Sequence, residues 1–143
     1  MGKIKACTQL RVKRLAVAGI VIVAGLVLRL TGYGAGLPYP LVKYGGSGLW
    51  GMMVFWLVAA LFPDRSVRRV AVLAGVVAVA VELIRLYHTP WLDAFRLTLA
   101  GALLLGRVFS VYNILAYLAG IAAAALIDQR LLLRRTYAES PAD

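Results

Sequence analysis

Within AVELIRLYHTPWLDAFR, residues 80–96, an otherwise aliphatic stretch places Glu82, Arg85, His88, Asp93 and Arg96 close together. Glu82 and Arg85 are three residues apart, as are Asp93 and Arg96, so on helices each pair shares a face. A buried carboxylate in such a setting can act as a general base or proton carrier. With arginines at hand, however, a permanently ionised carboxylate is the expected state. His88 is the only histidine. No second His or Cys stands at metal-ligand spacing, so no metal is expected. The chain contains no Ser/His/Asp arrangement, phosphate-binding glycine loop or redox motif, and Ser47 in GGSG reads as a packing residue. No catalytic residue and no cofactor are assigned, and the chain reads more readily as a non-enzyme.

The elements that must position these charges are apolar. The 143 residues are 62% hydrophobic and 15% charged, whereas a soluble domain is about 45–50% apolar and about 25% charged. Mean hydropathy is +0.84, and several apolar runs are long enough to cross a bilayer, which defines an integral membrane protein. The formal charge of +10 would point to nucleic acid in a soluble chain. Here Lys and Arg gather at the ends of apolar runs, as membrane anchors do, and nucleic acid is excluded as a partner. The single cysteine, Cys7, rules out an internal disulfide.

The expected fold is all-α: a small polytopic bundle with five membrane-embedded helices. The first runs from a basic tail (1–14) to about Leu30 and is not cleaved as a signal peptide. TGYGAGLPYP interrupts it, since glycine and proline break helices. The second spans Tyr44–Phe62, the third Val70–Tyr87, the fourth Pro90–Gly106 and the fifth Val111–Ile127. Thr89 is placed as N-cap with Pro90 at the first helical position. A seventeen-residue fourth helix is about 25 Å long, a short crossing. The membrane domain is 15–128, and 129–143 is an exposed tail. GGSGLWG and GIAAAA suit close helix packing within one chain.

Lys3, Lys5, Arg11, Lys13, Arg14 and the loop residues Arg65, Arg68 and Arg69 place the N-terminus in the cytoplasm of a plasma (inner) membrane. Arg130, Arg134 and Arg135 favour the cytoplasm as well, which requires an even number of crossings. Five crossings would put them outside. The five-crossing arrangement is the expectation, with a re-entrant fourth helix as its alternative.

A third helix ending near Tyr87 and a fourth starting near Pro90 form a hairpin with its apex at His88–Thr89. Counting outward from the apex, Arg85 lies level with Asp93, and Glu82 with Arg96. The expected structural ion pairs are therefore Glu82–Arg96 and Arg85–Asp93, across antiparallel helices. Such pairs could serve only to fix helix register. They could also belong to a cationic site for phosphate or another anion, formed by Arg29, Lys43, Arg85 and Arg96.

KYGGSGLW (43–50), ELIRLYHTPWLDAFRLTLAGALLLG (82–106) and FSVYNILAYLAGI (109–121) resemble the bacterial domain of unknown function 2809. That family is in turn similar to the VanZ-like membrane proteins, named for low-level teicoplanin resistance. Glu82, Tyr87, His88, Pro90, Trp91, Asp93 and Arg96 match the family's pattern. Ser47, Arg85 and Asn113 depart from it, where Asp, Gln and Asp are common. The resemblance implies a small helical membrane protein of the cell envelope and no particular reaction. Two roles follow from residues and resemblance together. One is binding of an anionic lipid or envelope precursor in the outer half of the bundle. The other is a structural or accessory subunit of a larger membrane protein complex, without a ligand of its own.

Overall fold

The computed structural model describes residues 2–105 and 109–133. Its elements are α1 (Gly2–Thr31), α2 (Tyr39–Leu61), α3 (Val67–Ile84), α4 (Pro90–Leu97), α5 (Leu99–Leu104) and α6 (Val111–Ile127). A π-helical turn, Asp128–Leu133, continues α6. Among the described residues three helices, not five, are long and apolar enough to cross a membrane: Ile4–Thr31, Tyr39–Leu61 and Val111–Arg130. The basic tail forms the first turns of α1. Residues from Arg134 onward, and the Gly106–Val108 part of the turn before α6, lie outside the described residues.

α2 is the central helix, packed on α1, α3 and α6. Its Phe55, Trp56 and Ala59 meet Ala18 and Val21 of α1, Val70, Ala74 and Ala78 of α3, and Tyr117, Ile121 and Ala124 of α6. The inward rows repeat every four residues, as one face of an α-helix must. Val70, Ala74, Ala78 and Glu82 form that row on α3. Ala6, Leu10, Arg14 and Ala18 form it on α1. Glycine brings α2 and α6 into backbone contact: a Cβ at Gly120 would strike the Gly48 carbonyl, and one at Gly51 the backbone of Tyr117. The glycine-rich runs thus serve packing within the chain.

α2 begins at Tyr39, five residues earlier than expected, because Pro40 falls in the first turn, where proline costs no hydrogen bond. In the loop before it, Gly36 adopts φ 77°, a left-handed conformation that glycine accepts without strain.

The fourth predicted helix, Pro90–Gly106, is broken in two. Thr98 is extended (φ −74°, ψ 157°) and its hydroxyl accepts a hydrogen bond from Gly101 N–H, so it ends α4 and caps α5. Eight and six residues make helices of about 12 Å and about 9 Å. Neither crosses a hydrocarbon core of about 30 Å. Thr89 and Pro90 do occupy the N-cap and first-turn positions of α4.

α3 is 18 residues long and packs beside α2 and α6. It is apolar in its middle but includes Arg68, Arg69 and Glu82. Helices α1, α2, α3 and α6 therefore make up the bundle, with α4 and α5 closing one end. Contacts between ends fix their relative directions. Cys7 near the start of α1 donates to Asp64 in the α2–α3 loop, 3.1 Å away. Arg14 of α1 reaches Asp128 at the end of α6. The chain start, the α2–α3 loop and the end of α6 share one end of the bundle.

Candidate functional site: a buried polar cluster

Two buried charge centres lie at opposite ends of the bundle. At the end holding α4 and α5, Glu82 is fully buried on the inward row of α3. Its Oε2 lies 2.6 Å from Arg85 Nη1 and accepts a hydrogen bond from the Tyr117 hydroxyl at 2.9 Å. Its Oε1 accepts from Ser110 N–H at 2.8 Å and from Asn113 Nδ2 at 3.2 Å. Ser110 is the N-cap residue of α6 without a side-chain cap bond, so the Glu82 carboxylate takes up that helix start, where negative charge is favoured. Arg85 also donates to Tyr117 Oη at 2.8 Å and to the Leu105 carbonyl. Ser47 Oγ of α2 adjoins the cluster, 3.3 Å from Asn113 Oδ1. One carboxylate thus ties α3, α6 and the segment before α6 together, with each oxygen doubly partnered.

The second half of the charged stretch closes on itself. Arg96 Nη1 lies 2.9 Å from Asp93 Oδ1 and donates to the Tyr87 carbonyl at 3.0 Å. Arg96 Nη2 donates to the Ile84 carbonyl at 2.6 Å. His88 Nδ1 is 3.2 Å from Asp93 Oδ1. All four residues expected in ion pairs are paired, but the partners differ. Glu82 takes Arg85, and Asp93 takes Arg96, each within its own segment at i,i+3. The expected Glu82–Arg96 and Arg85–Asp93 hairpin pairs are replaced for a geometric reason. α3 stops at Ile84, the chain tightens into i→i−3 bonds through Tyr87, and α4 packs on α5 rather than along α3.

At the other end, Arg14 and Asp128 form a fully buried bidentate pair, with Nε–Oδ1 at 2.9 Å and Nη2–Oδ2 at 2.7 Å. Arg14 Nη1 donates to the Ala59 carbonyl at 2.8 Å, near the end of α2. Sequence reasoning missed this pair by assigning Arg14 to a tail. The signal was periodic: Arg14 follows Leu10 and precedes Ala18 at four-residue spacing, and Asp128 continues Gly120 and Ala124. Tyr117 and Asn113 were missed likewise, although both lie on the same face of α6 as Ile121.

The four cations expected to gather at one anion site separate into two kinds. Arg85 and Arg96 are buried and bonded as described. Arg29 is exposed on the last turn of α1. Lys43 Nζ lies 5.4 Å from the ring centroids of both Tyr39 and Tyr44. Leu28 packs on Gly45 and Val42 on Gly32, so Arg29 and Lys43 sit on neighbouring turns of the α1–α2 crossing. A separate apolar groove of about 710 Å³, lined by Gly75, Val79, Leu83, Leu118 and Ile121, runs between α3 and α6 and is remote in character from these charges.

Three apolar bundle helices, a fourth tied to them and internally neutralised charges fit a helical membrane protein. Residues 37–121 match the family described as protein of unknown function (DUF2809). The chain belongs to that family. The matched region runs from just before α2 into α6, and so contains the whole Glu82 cluster. No solved structure matches the chain.

Proposed function

We propose that the protein is a non-catalytic membrane component that binds an anionic headgroup, most simply a lipid phosphate, at the end of the bundle that holds α4 and α5. One observation carries the reading. Among the described residues the charges of the 80–96 stretch are consumed internally, while Arg29 and Lys43, on adjacent turns of α1 and α2, have no carboxylate partner. An arginine fork and an ammonium held beside two tyrosine rings are suited to phosphate at headgroup level. Arg85 and Arg96, included in the expected site, contribute through the frame they brace. The wider resemblance to VanZ-like envelope proteins is in keeping with such a role, and positive charge at the opposite end supports an outer-leaflet position for the site.

The test is native mass spectrometry of lipids retained by purified protein. Arg29→Gln with Lys43→Gln should lose anionic lipid while the thermal unfolding temperature is unchanged. Arg29→Lys alone should weaken retention, because the bidentate fork is lost although charge is kept. Identical lipids on parent and double variant would end the proposal.

A second reading, an accessory subunit of a larger membrane complex, draws support from the closed Glu82 cluster, which satisfies itself without a ligand. Reproducible co-purification of one large membrane complex, unaffected by the double variant, would favour it.

A further inference from the structure

α4 is turned inside out relative to a helix on a soluble protein. Its inward residues are Leu92 and the arginine, Arg96, which is 3% exposed. Its outward residues are Trp91 at 70%, Phe95 at 39% and Leu97 at 68%, and the apolar surface continues through Leu99 at 69% and Leu104 at 50%. Arginine is almost never buried while Trp and Leu of the same helix face outward, unless the outside is less polar than the inside. The Arg96 guanidinium also donates to two carbonyls where α3 ends: to that of Tyr87, and to that of Ile84 as a second donor beside the Tyr87 N–H. In water such groups would be hydrated; in hydrocarbon they need an internal donor.

The polar atoms of this segment mark the opposite boundary. His88 and Asp93, with side chains 65% and 44% exposed, stand at its beginning, next to Tyr87 and Trp91, the residue types that mark a headgroup boundary. From Leu97 to Leu104 the described exposed side chains carry no charge. The segment is too short to cross, and both its ends return to the same end of the bundle, at the close of α3 and the start of α6.

We infer that α4–α5 is a re-entrant element seated in one bilayer leaflet, with lipid acyl chains as the partner of its outward face. His88 and Asp93 lie at the water boundary, Trp91 at headgroup level, and Leu97 and Leu99 among the upper acyl carbons. The leaflet is the one at the Glu82 end. The element binds bilayer rather than a soluble partner, and it does so whether or not Arg29 and Lys43 hold an anion.

Spin labels placed at His88, Leu97 and Leu99, singly and in a Cys7→Ala background, test this in phosphatidylcholine vesicles. Collision with oxygen should dominate over collision with a water-soluble nickel chelate at positions 97 and 99, and the order should reverse at 88. Nickel access at 97 and 99 equal to that at 88 would overturn the proposal, as would a depth at the bilayer midplane, which means a crossing. A second readout needs no label. Phosphatidylcholine brominated at upper acyl positions should quench a component of tryptophan emission that is absent in Trp91→Phe. Equal quenching of parent and Trp91→Phe would also overturn it.

Discussion

Arg14 and Asp128 stand 114 residues apart in sequence and meet as a bidentate, fully buried ion pair. The contact fixes the start of α1 and the end of α6 at the same end of the bundle. A third bond, to the Ala59 carbonyl, draws in α2. A buried pair of this kind is costly to break from one side, since the remaining charge loses its partner.

Arg14→Gln or Asp128→Asn should each destabilise the protein by about 3–5 kcal/mol. Arg14→Met combined with Asp128→Leu should recover most of that loss, because no buried charge is left behind. Thermal unfolding in detergent measures all three. Equal loss in the singles and the double would mean that packing, not charge, holds this end.

The side of the membrane reached by each end follows from the same contact. In Cys7→Ala protein, cysteines at Thr8 and Ser66 should label with an impermeant reagent from one side, and a cysteine at Thr89 from the other. On the proposed orientation, with the basic end in the cytoplasm, only Thr89→Cys should label on intact cells. A cysteine at Ser140 should stay protected, whereas five crossings require it to label from outside.

Glu82 and Arg85 should couple in a double-mutant cycle by about 1–3 kcal/mol, the range for residues sharing one polar network. Glu82 and Arg96 should add within about 0.5 kcal/mol, as separated sites do. Tyr117→Phe removes a hydroxyl that bonds both Glu82 and Arg85 and should cost about 1–3 kcal/mol. Strong coupling of 82 with 96, and none of 82 with 85, would restore the cross-hairpin arrangement.

Glycine substitutions separate contact from composition. Gly120→Ala forces a methyl into the Gly48 carbonyl, whereas Gly46→Ala meets nothing within 4 Å. The first should lower stability by about 1–3 kcal/mol, the cost of overpacking. The second should leave stability unchanged or raise it slightly, because alanine suits a helix interior better than glycine. Unfolding midpoints of the two variants decide it.

Asp93 gives the corner between α3 and α4 an acid limit. Burial pushes its carboxyl up, but hydrogen bonds and charge from His88 and Arg96 push it down by more, so the net pKa lies below its ordinary value. A carboxyl depressed in the folded state stabilises above its unfolded pKa of about 3.9 and loses that contribution as pH falls through the folded one. Hydrogen-exchange protection factors at residues 85–93, corrected for the intrinsic pH dependence of amide exchange, should therefore stay flat from about pH 7 to about pH 4 and fall only in stronger acid. Protection in Asp93→Asn should be lower over the same range. Opening of the parent between about pH 5 and about pH 7 would assign the switch to another group.

Sequence alone determined the class and much of the local structure. Apolar length located α1, α2, α3 and α6 but not the break in the predicted fourth helix, Thr89–Pro90 marked the start of α4, and the glycines of α2 and α6 announced close packing. It also showed that Glu82, Arg85, Asp93 and Arg96 must be neutralised, because isolated charge at that depth is too costly to leave unpaired. Which charge meets which was decided only by tertiary structure. Spacing of three residues permits pairing within a segment as readily as depth counting permits pairing across a hairpin. The choice depends on the path of residues 85–89 and on the break at Thr98, where a side-chain cap outcompetes continuation of the helix. Arg14–Asp128 was likewise a matter of assembly. Four-residue rows place both side chains inward, but only the packing of α1, α2 and α6 brings the two rows together.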